Sequence, residues 1–231
     1  MFTSARVEGR LSNEVKSGLI SVLYKKGERE DPRNYRPISL LNNDYKIFTR
    51  ILTERMNEAV VQFVSVQQNG FVPHGFIAEN TALLKLLQEY CDEQNEEAMY
   101  IFLDMEKAFD RCSWAYLHKA LQKLGFNEGF INYVKLMYNT DDPPQRRIQV
   151  NGFLSDPFPL RSGVAQGCPL SPLLFLCITE ALSRLIVNDP TIRGIGVPKR
   201  HTVDSTVGLK WESWKPSETK REPSGERLQN N

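Results

Sequence analysis

The sharpest chemical signal in the chain is the stretch AMYIFLDMEKAFDR, residues 98–111. There an apolar run of Met99, Tyr100, Ile101, Phe102 and Leu103 ends on Asp104, and a second carboxylate, Asp110, directly follows Phe109. A short apolar run of this kind reads as a buried strand. A carboxylate at the exit of such a strand stands on the rim of a sheet, where its hard oxygens can hold Mg²⁺ against a substrate phosphate. The plainer reading, an aspartate that ends the strand and caps the next turn, stands slightly ahead on this stretch alone. A phosphatase with an aspartyl nucleophile would want a second Asp two positions on, and Glu106 stands there instead.

A second stretch, RSGVAQGCPLSP (residues 161–172), has two glycines and two prolines leading into an apolar helix. Glycines let backbone approach a ligand closely, and a helix start offers free N–H groups to an anion, although a tight strand-to-helix connection would use the same residues. Two other patterns carry less. Asp141-Asp142 precedes Pro143-Pro144 with no apolar strand around it, and reads as a loop. His74, His118 and His201 are isolated from one another and from any nucleophile motif, so none is assigned a role.

The elements that must position these residues follow from periodicity. Residues 19–24 read as a strand, followed by a charged loop, KKGEREDPRNYRP, punctuated by Gly27, Pro32 and Pro37. From Asn43 to about Val61 the spacing of Ile47, Ile51, Leu52, Met56, Ala59 and Val60 predicts an amphipathic helix. A second helix is expected over residues 79–91, with Leu83, Leu86, Leu87 and Tyr90 on one face, and an acidic turn then leads to the strand ending on Asp104. Ser113 can cap a third helix bearing Trp114, Leu117, Leu121 and Leu124, which stops at Gly125. A fourth, with Phe130, Val134 and Met137, should pack on it as a hairpin. Asn151-Gly152 between two β-prone runs predicts a two-residue β-hairpin turn, and Ser171-Pro172 opens a buried helix ending near residues 188–190.

The chain has 231 residues, 41% hydrophobic and 25% charged, with a formal net charge of +1, so bulk electrostatics points to neither nucleic acid nor a membrane surface. Cys91, Cys112, Cys168 and Cys177 form no CxxC pair and no Cys/His metal spacing, and read as reduced thiols. No signal-peptide pattern opens the chain, and its apolar runs fall short of the ~20 residues that cross a bilayer, so an intracellular protein, nuclear or cytoplasmic, with no membrane partner is expected. From about Pro198 the pattern is lost, and a disordered tail over residues 198–231 is expected.

Taken in order, LYKKGEREDPRNYRPISLLNNDYKIFTRIL, QQNGF, IAENTALLKLLQEY, YIFLDMEKAFDR, LGFNEGFINYVKLMY and LRSGVAQGCPLSPLLF resemble the reverse transcriptase domain of non-LTR, LINE-type retrotransposons, collinearly over most of residues 9–197. The resemblance implies an α+β fold: fingers and a partial palm, with helices packed on a small, mostly antiparallel sheet. It implies that Asp104 is a palm carboxylate binding the two divalent ions, Mg²⁺, of nucleotidyl transfer, with hard oxygens clamping an in-line displacement. Phe109 matches the aromatic residue that excludes a ribose 2′-hydroxyl, unless it is an ordinary core Phe. Gln166 and Gly167 match the motif beneath the incoming nucleotide, and Arg36 and Lys25 (or Lys26) match the fingers contacts to its triphosphate. An RNA template, a DNA primer and deoxynucleotides are the implied partners.

The chain also departs from the family. Pro73-His74-Gly75 stands where Pro-Gly-Arg is usual, and after GIGV the expected strand–turn–strand with Asp-Asp is replaced by a segment whose Asp204 is single. The domain is therefore expected to run over residues 1–197 and to be incomplete, without the remaining palm carboxylates or the thumb. Three outcomes follow as expectations: an inactive reverse transcriptase domain, a remnant that still binds RNA, or a decayed product with no selected function and exposed apolar surface.

Overall fold

The computed structural model describes residues 8–65 and 67–195. The segment 198–231, including Asp204, lies outside the described residues. Two units are distinguished, Met1–Asn188 and Asp189–Asn231. In the second, Asp189 accepts from the backbone and hydroxyl of Thr191 (2.8 and 2.6 Å) in a tight turn.

The first unit is mixed α and β. A short helix, α1 (Asn13–Lys16), capped by Ser12, leads into strand β1 (Gly18–Tyr24). Strand β2 (Tyr35–Leu41) returns antiparallel to β1, with Leu23 opposite Arg36 and Gly18 opposite Leu41. The sequence reading carried the charged loop through Pro37, but the loop ends at Tyr35. Pro37 conceals β2 in the sequence, yet the sheet tolerates it because β2 is the edge of the order β2-β1-β3-β4.

Strand β3 (Gln145–Val150) lies parallel to β1 and turns antiparallel into β4 (Phe153–Leu154); β5 (Phe158–Pro159) pairs with the other end of β3. Asn151 and Gly152 sit at φ 50° and 82°, the left-handed pair that a two-residue hairpin with matched twist requires.

Below the sheet the core is helical. Helix α2 (Asn43–Phe63), capped by Asn42, buries Tyr45, Phe48, Leu52, Met56 and Val60. Ile47 and Ile51, expected on that face, point outward because the aromatic row one step away takes the core instead. Helices α4 (Trp114–Lys123) and α5 (Glu128–Met137) form the expected hairpin, capped by Ser113 and Asn127, with Leu117, Leu121, Val134 and Met137 fully buried.

Helix α6 (Ser171–Asn188) packs against α4 and α2 with Leu173, Leu174, Leu176 and Cys177 inside. By length and composition it could cross a bilayer, contrary to the expectation from run length, but one face is spent on this core. Its buried Glu180 accepts from Ser65 (backbone 3.1 Å, hydroxyl 2.8 Å) and from Arg184 (2.9 Å), and Arg184 reaches the Phe63 carbonyl, tying α6 to the end of α2. Each fully buried Leu or Met here contributes about 1.5–3 kcal/mol.

One region differs. Helix α3 (Ile77–Gln94) forms as expected, but of its residues only Cys91 is buried; Leu86 of the expected face is exposed. The predicted strand after it does not form. Residues 96–104 have no regular structure, and Met99, Ile101, Phe102 and Leu103 are 84, 75, 79 and 69% exposed. The apolar pattern alone does not make a strand: a strand needs a partner for its backbone groups, and none of the described strands pairs with this run.

Candidate functional site

The loop 161–170 is held on every side. The Val164 N–H donates to the Phe109 carbonyl and the Gly163 N–H to the Cys112 carbonyl, both at 2.8 Å. The Trp114 indole donates to the Gly163 carbonyl at 2.7 Å, inside the core. Across the loop, the Ser39 N–H of β2 donates to the Gln166 carbonyl at 2.7 Å, and the Ala165 N–H donates to the Tyr138 hydroxyl at 3.3 Å.

Glycine is required twice in this loop. A Cβ at Gly163 (φ 87°) would lie 2.9 Å from the Asp110 carbonyl oxygen, and one at Gly167 (φ 115°) 2.7 Å from the Ser39 carbonyl oxygen. The loop is thus clamped between β2, which carries Arg36, and the turn that carries Phe109 and Asp110.

Asp110, which the sequence left without a role, gains one. Its carboxylate accepts from Gln166 Nε2 at 3.2 and 3.3 Å, so the turn orients the glutamine side chain as well as the loop backbone. The turn itself is closed by the Asp110 and Arg111 N–H groups on the Lys107 carbonyl, with Lys107 at φ 51°. Phe109 is half-buried, its ring edge-on to Phe175 of α6 at 5.2 Å and tilted against Phe71 at 6.4 Å. This packing by itself fits a core phenylalanine as well as a residue facing a ligand.

Lys25 and Arg36 lie on the β1–β2 hairpin, exposed and without an ion pair among the described residues. The Lys25 N–H still bonds to the Asn34 carbonyl at 2.8 Å, which continues the ladder to the hairpin tip. Tyr24 stiffens the tip: its hydroxyl donates to the Gly27 carbonyl at 2.6 Å and its ring carries the Arg29 guanidinium at 5.1 Å.

Asp31 is held below the usual carboxylate range by its hydrogen bonds from Arg33 and, more weakly, by the Lys107 charge. Arg33 is in turn raised, mostly by Asp31 and slightly by Glu106.

Asp104 is exposed and has no hydrogen bond or ion pair among the described residues. Its neighbours are engaged elsewhere: Asp110 with Gln166, and Glu106 with Arg111 at 2.8 Å. Among the described residues no three potential ligands converge on a metal position. The described residues around Asp104 therefore do not by themselves make a two-ion centre.

The four cysteines are unpaired and buried; burial pushes the Cys112 thiol up to about 11, away from nucleophilic use. Asp142 lies in a loop, as expected, and pairs at 2.5 Å with the buried Lys16. Sequence reasoning missed Ser39 and Trp114 as supports of the loop. The spacing of Gly163 and Gly167 marks a close backbone approach, but nothing in the sequence says to what.

Residues 23–197 match the family described as reverse transcriptase (RNA-dependent DNA polymerase). The chain belongs to the reverse transcriptase family.

Among its relatives, the Transposon TX1 uncharacterized 149 kDa protein of Xenopus laevis is 32% identical over 201 residues, covering 84% of this chain and 15% of that protein. The Pol polyprotein of the type-2 retrotransposable element R2DM of Drosophila melanogaster is 28% identical over 181 residues, 78% of this chain and 17% of the polyprotein. The probable RNA-directed DNA polymerase from transposon BS of the same fly is 33% identical over 174 residues, 72% and 18% respectively. The relatives belong to non-LTR retrotransposons. This reverse transcriptase chain thus spans less than a fifth of the length of these three relatives.

Proposed function

We propose that this chain is the fingers and part of the palm of a reverse transcriptase, able to hold nucleic acid but not, by itself, to polymerise DNA. The observation that supports it best is the clamp on loop 161–170. Hydrogen bonds from β2 and from the 106–111 turn bring Arg36's strand, Phe109, Gln166 and Gly167 into one connected piece. In this reading Lys25 and Arg36 contact a triphosphate, and Phe109 borders the sugar. Gln166 and Gly167 lie beneath the nucleotide, and Asp104 offers a carboxylate to a divalent ion.

The case against synthesis by this chain is the donor set. Two ions bound in line with a phosphoryl transfer need several carboxylate oxygens, and the described residues offer Asp104 without a companion. The binding role has its own support in the exposed, unpaired Lys25 and Arg36 at a stiffened hairpin. Phosphate contacts of that kind release counterions, so RNA affinity should fall steeply as salt rises.

Primer extension on an RNA template with Mg²⁺, run beside Asp104→Ala and with RNA retention measured over a salt series, tests the reading. No extension by either protein, with salt-sensitive RNA binding weakened by Arg36→Ala, is the expected result. Extension that disappears in Asp104→Ala would falsify the claim that the chain is inactive. Absence of any RNA binding would remove the binding role.

A further inference from the structure

Asp110 is the carboxylate of the 98–111 stretch that the two-ion reading leaves unused, and its contact with Gln166 fixes more than a distance. An ionised carboxylate only accepts, whereas an amide side chain has one donating end and one accepting end. Both Asp110 oxygens take Gln166 Nε2, at 3.2 and 3.3 Å. The donating end of the glutamine therefore faces the turn, and its accepting end, Oε1, faces away.

Residue 166 is also pinned through its backbone. Its carbonyl accepts from the Ser39 N–H at 2.7 Å, and Gly167 after it lies against the Ser39 carbonyl. Among the described residues nothing donates to Oε1. It is not one of the buried polar atoms left without a partner, so it is open to solvent. The half-buried Gln166 thus shows an acceptor outward.

Asp110 keeps its charge for this contact. Among the described residues no Lys, Arg or His pairs with it, and Arg111 beside it uses Glu106 at 2.8 Å. The charge is felt at Cys112, whose thiol is pushed up first by burial and then by Asp110. An amide that donates to an anion is polarised toward its own oxygen, as hydrogen bonds in a chain strengthen one another. An acceptor that is already pinned and polarised loses little freedom when a ligand arrives. A phosphate oxygen, itself a negative acceptor, is repelled from such a point, while a hydroxyl or amino hydrogen is attracted.

We propose that Asp110 is a positioning residue: acting through Gln166, it makes this point of the loop an acceptor for a hydroxyl or amino hydrogen on the nucleoside part of a nucleotide, and turns phosphate away. The inference rests on the placing of Gln166 beneath the nucleotide in the proposed function, and adds the polarity of that contact. Phosphate is left to Lys25 and Arg36, whose chemistry suits it.

The test uses the whole chain with ¹⁵N-labelled glutamine, the side-chain amide signals of Gln166 being assigned by their disappearance in Gln166→Glu. The probes are dATP, its analogue without the 6-amino group, and inorganic tripolyphosphate, with affinities measured by calorimetry. The Gln166 signals should shift saturably with dATP and not with tripolyphosphate. In Asp110→Asn, whose amide can donate and so lets Gln166 turn over, the preference for dATP over tripolyphosphate should fall about fivefold to tenfold, the scale of one hydrogen bond. The ratio cancels the lost charge, which acts on both probes.

Gln166→Glu should lose the preference too, because two carboxylates then face each other. Asp110→Asn combined with Gln166→Glu exchanges amide and carboxylate across the same contact and again leaves an acceptor outward. The preference should then return to within about threefold of the original, a coupling that support of the loop alone does not produce.

A shift shared by dATP and its analogue assigns the donor to the sugar hydroxyl; a shift with dATP alone assigns it to the base. No shift with dATP, an equal shift with tripolyphosphate, or a preference unmoved in Asp110→Asn overturns the inference and leaves Asp110 a support of the turn. A Gln166 shift with dATP in a chain that does not bind tripolyphosphate supports the inference and counts instead against Lys25 and Arg36 as triphosphate contacts.

Discussion

Loop 161–170 and run 99–104 carry the two strongest chemical signals, yet they end in opposite states. The loop is fastened to β2, to the 106–111 turn and to the indole of Trp114. Among the described residues no strand pairs with the run; Tyr100 lies beside Cys91 of α3, and four of the run's apolar side chains are more than two-thirds exposed. The difference lies in what each needs. A loop can satisfy its backbone from carbonyls and N–H groups already fixed around it, whereas a strand remains incomplete until another strand lies alongside.

The comparison can be broken first at Gly167. Alanine there meets the Ser39 carbonyl at 2.7 Å in a left-handed conformation, so Gly167→Ala should cost about 3 kcal/mol or more in urea unfolding. An unchanged midpoint would mean that the loop is not clamped to β2.

Trp114→Phe keeps an aromatic ring but leaves the Gly163 carbonyl without its donor in the core and opens a small cavity. A loss of about 1–3 kcal/mol is expected, followed by far-ultraviolet circular dichroism. Asp110→Ala should cost about 1 kcal/mol and collapse the distinct amide signals of Gln166 toward those of a free glutamine.

The run should behave differently. Replacing both Ile101 and Phe102 by serine is expected to change unfolding free energy by less than about 0.5 kcal/mol, because neither is packed. The same change should reduce concentration-dependent association measured by sedimentation. A large destabilisation would show the run to be buried in solution and end the contrast.

The smallest effect expected is a pH dependence from α4. Burial, reinforced by the Lys135 charge, holds His118 below its ordinary value. The folded form resists the proton that the unfolded chain accepts, so this contribution is complete above about pH 6.5 and is lost as pH falls through the lowered folded value. His118→Gln should flatten the stability profile in that interval and leave higher pH unchanged.

What could be read in advance follows the same division between local and distant causes. The α4–α5 hairpin, with Ser113 and Gly125 marking its first helix, and the Asn151-Gly152 turn depend on neighbours a few residues away, and they form where expected. Helix α2 was legible as a helix and its face only in part: Leu52, Met56 and Val60 are buried as expected, while packing chose Tyr45 and Phe48 over Ile47 and Ile51.

Strand β2 was hidden by Pro37 and surrounding charge, its identity resting on β1. The candidate site was legible as residue types. The link from Asp110 to Gln166 spans 56 residues and that from Lys16 to Asp142 spans 126, distances over which one sequence carries no periodic signal.

The position of Pro37 has a consequence for the company the sheet can keep. In an antiparallel strand the N–H and carbonyl of one residue face the same side, and alternate residues face alternate sides. Ser39 turns both groups away from β1, toward Gln166 and Gly167, and Pro37 shares that orientation two residues earlier. One outward position on β2 is therefore occupied and the next offers no hydrogen to donate. A stray chain seeking to add itself there would find the Ser39 rung taken and no donor at Pro37, so this border of the sheet is a poor template for growth.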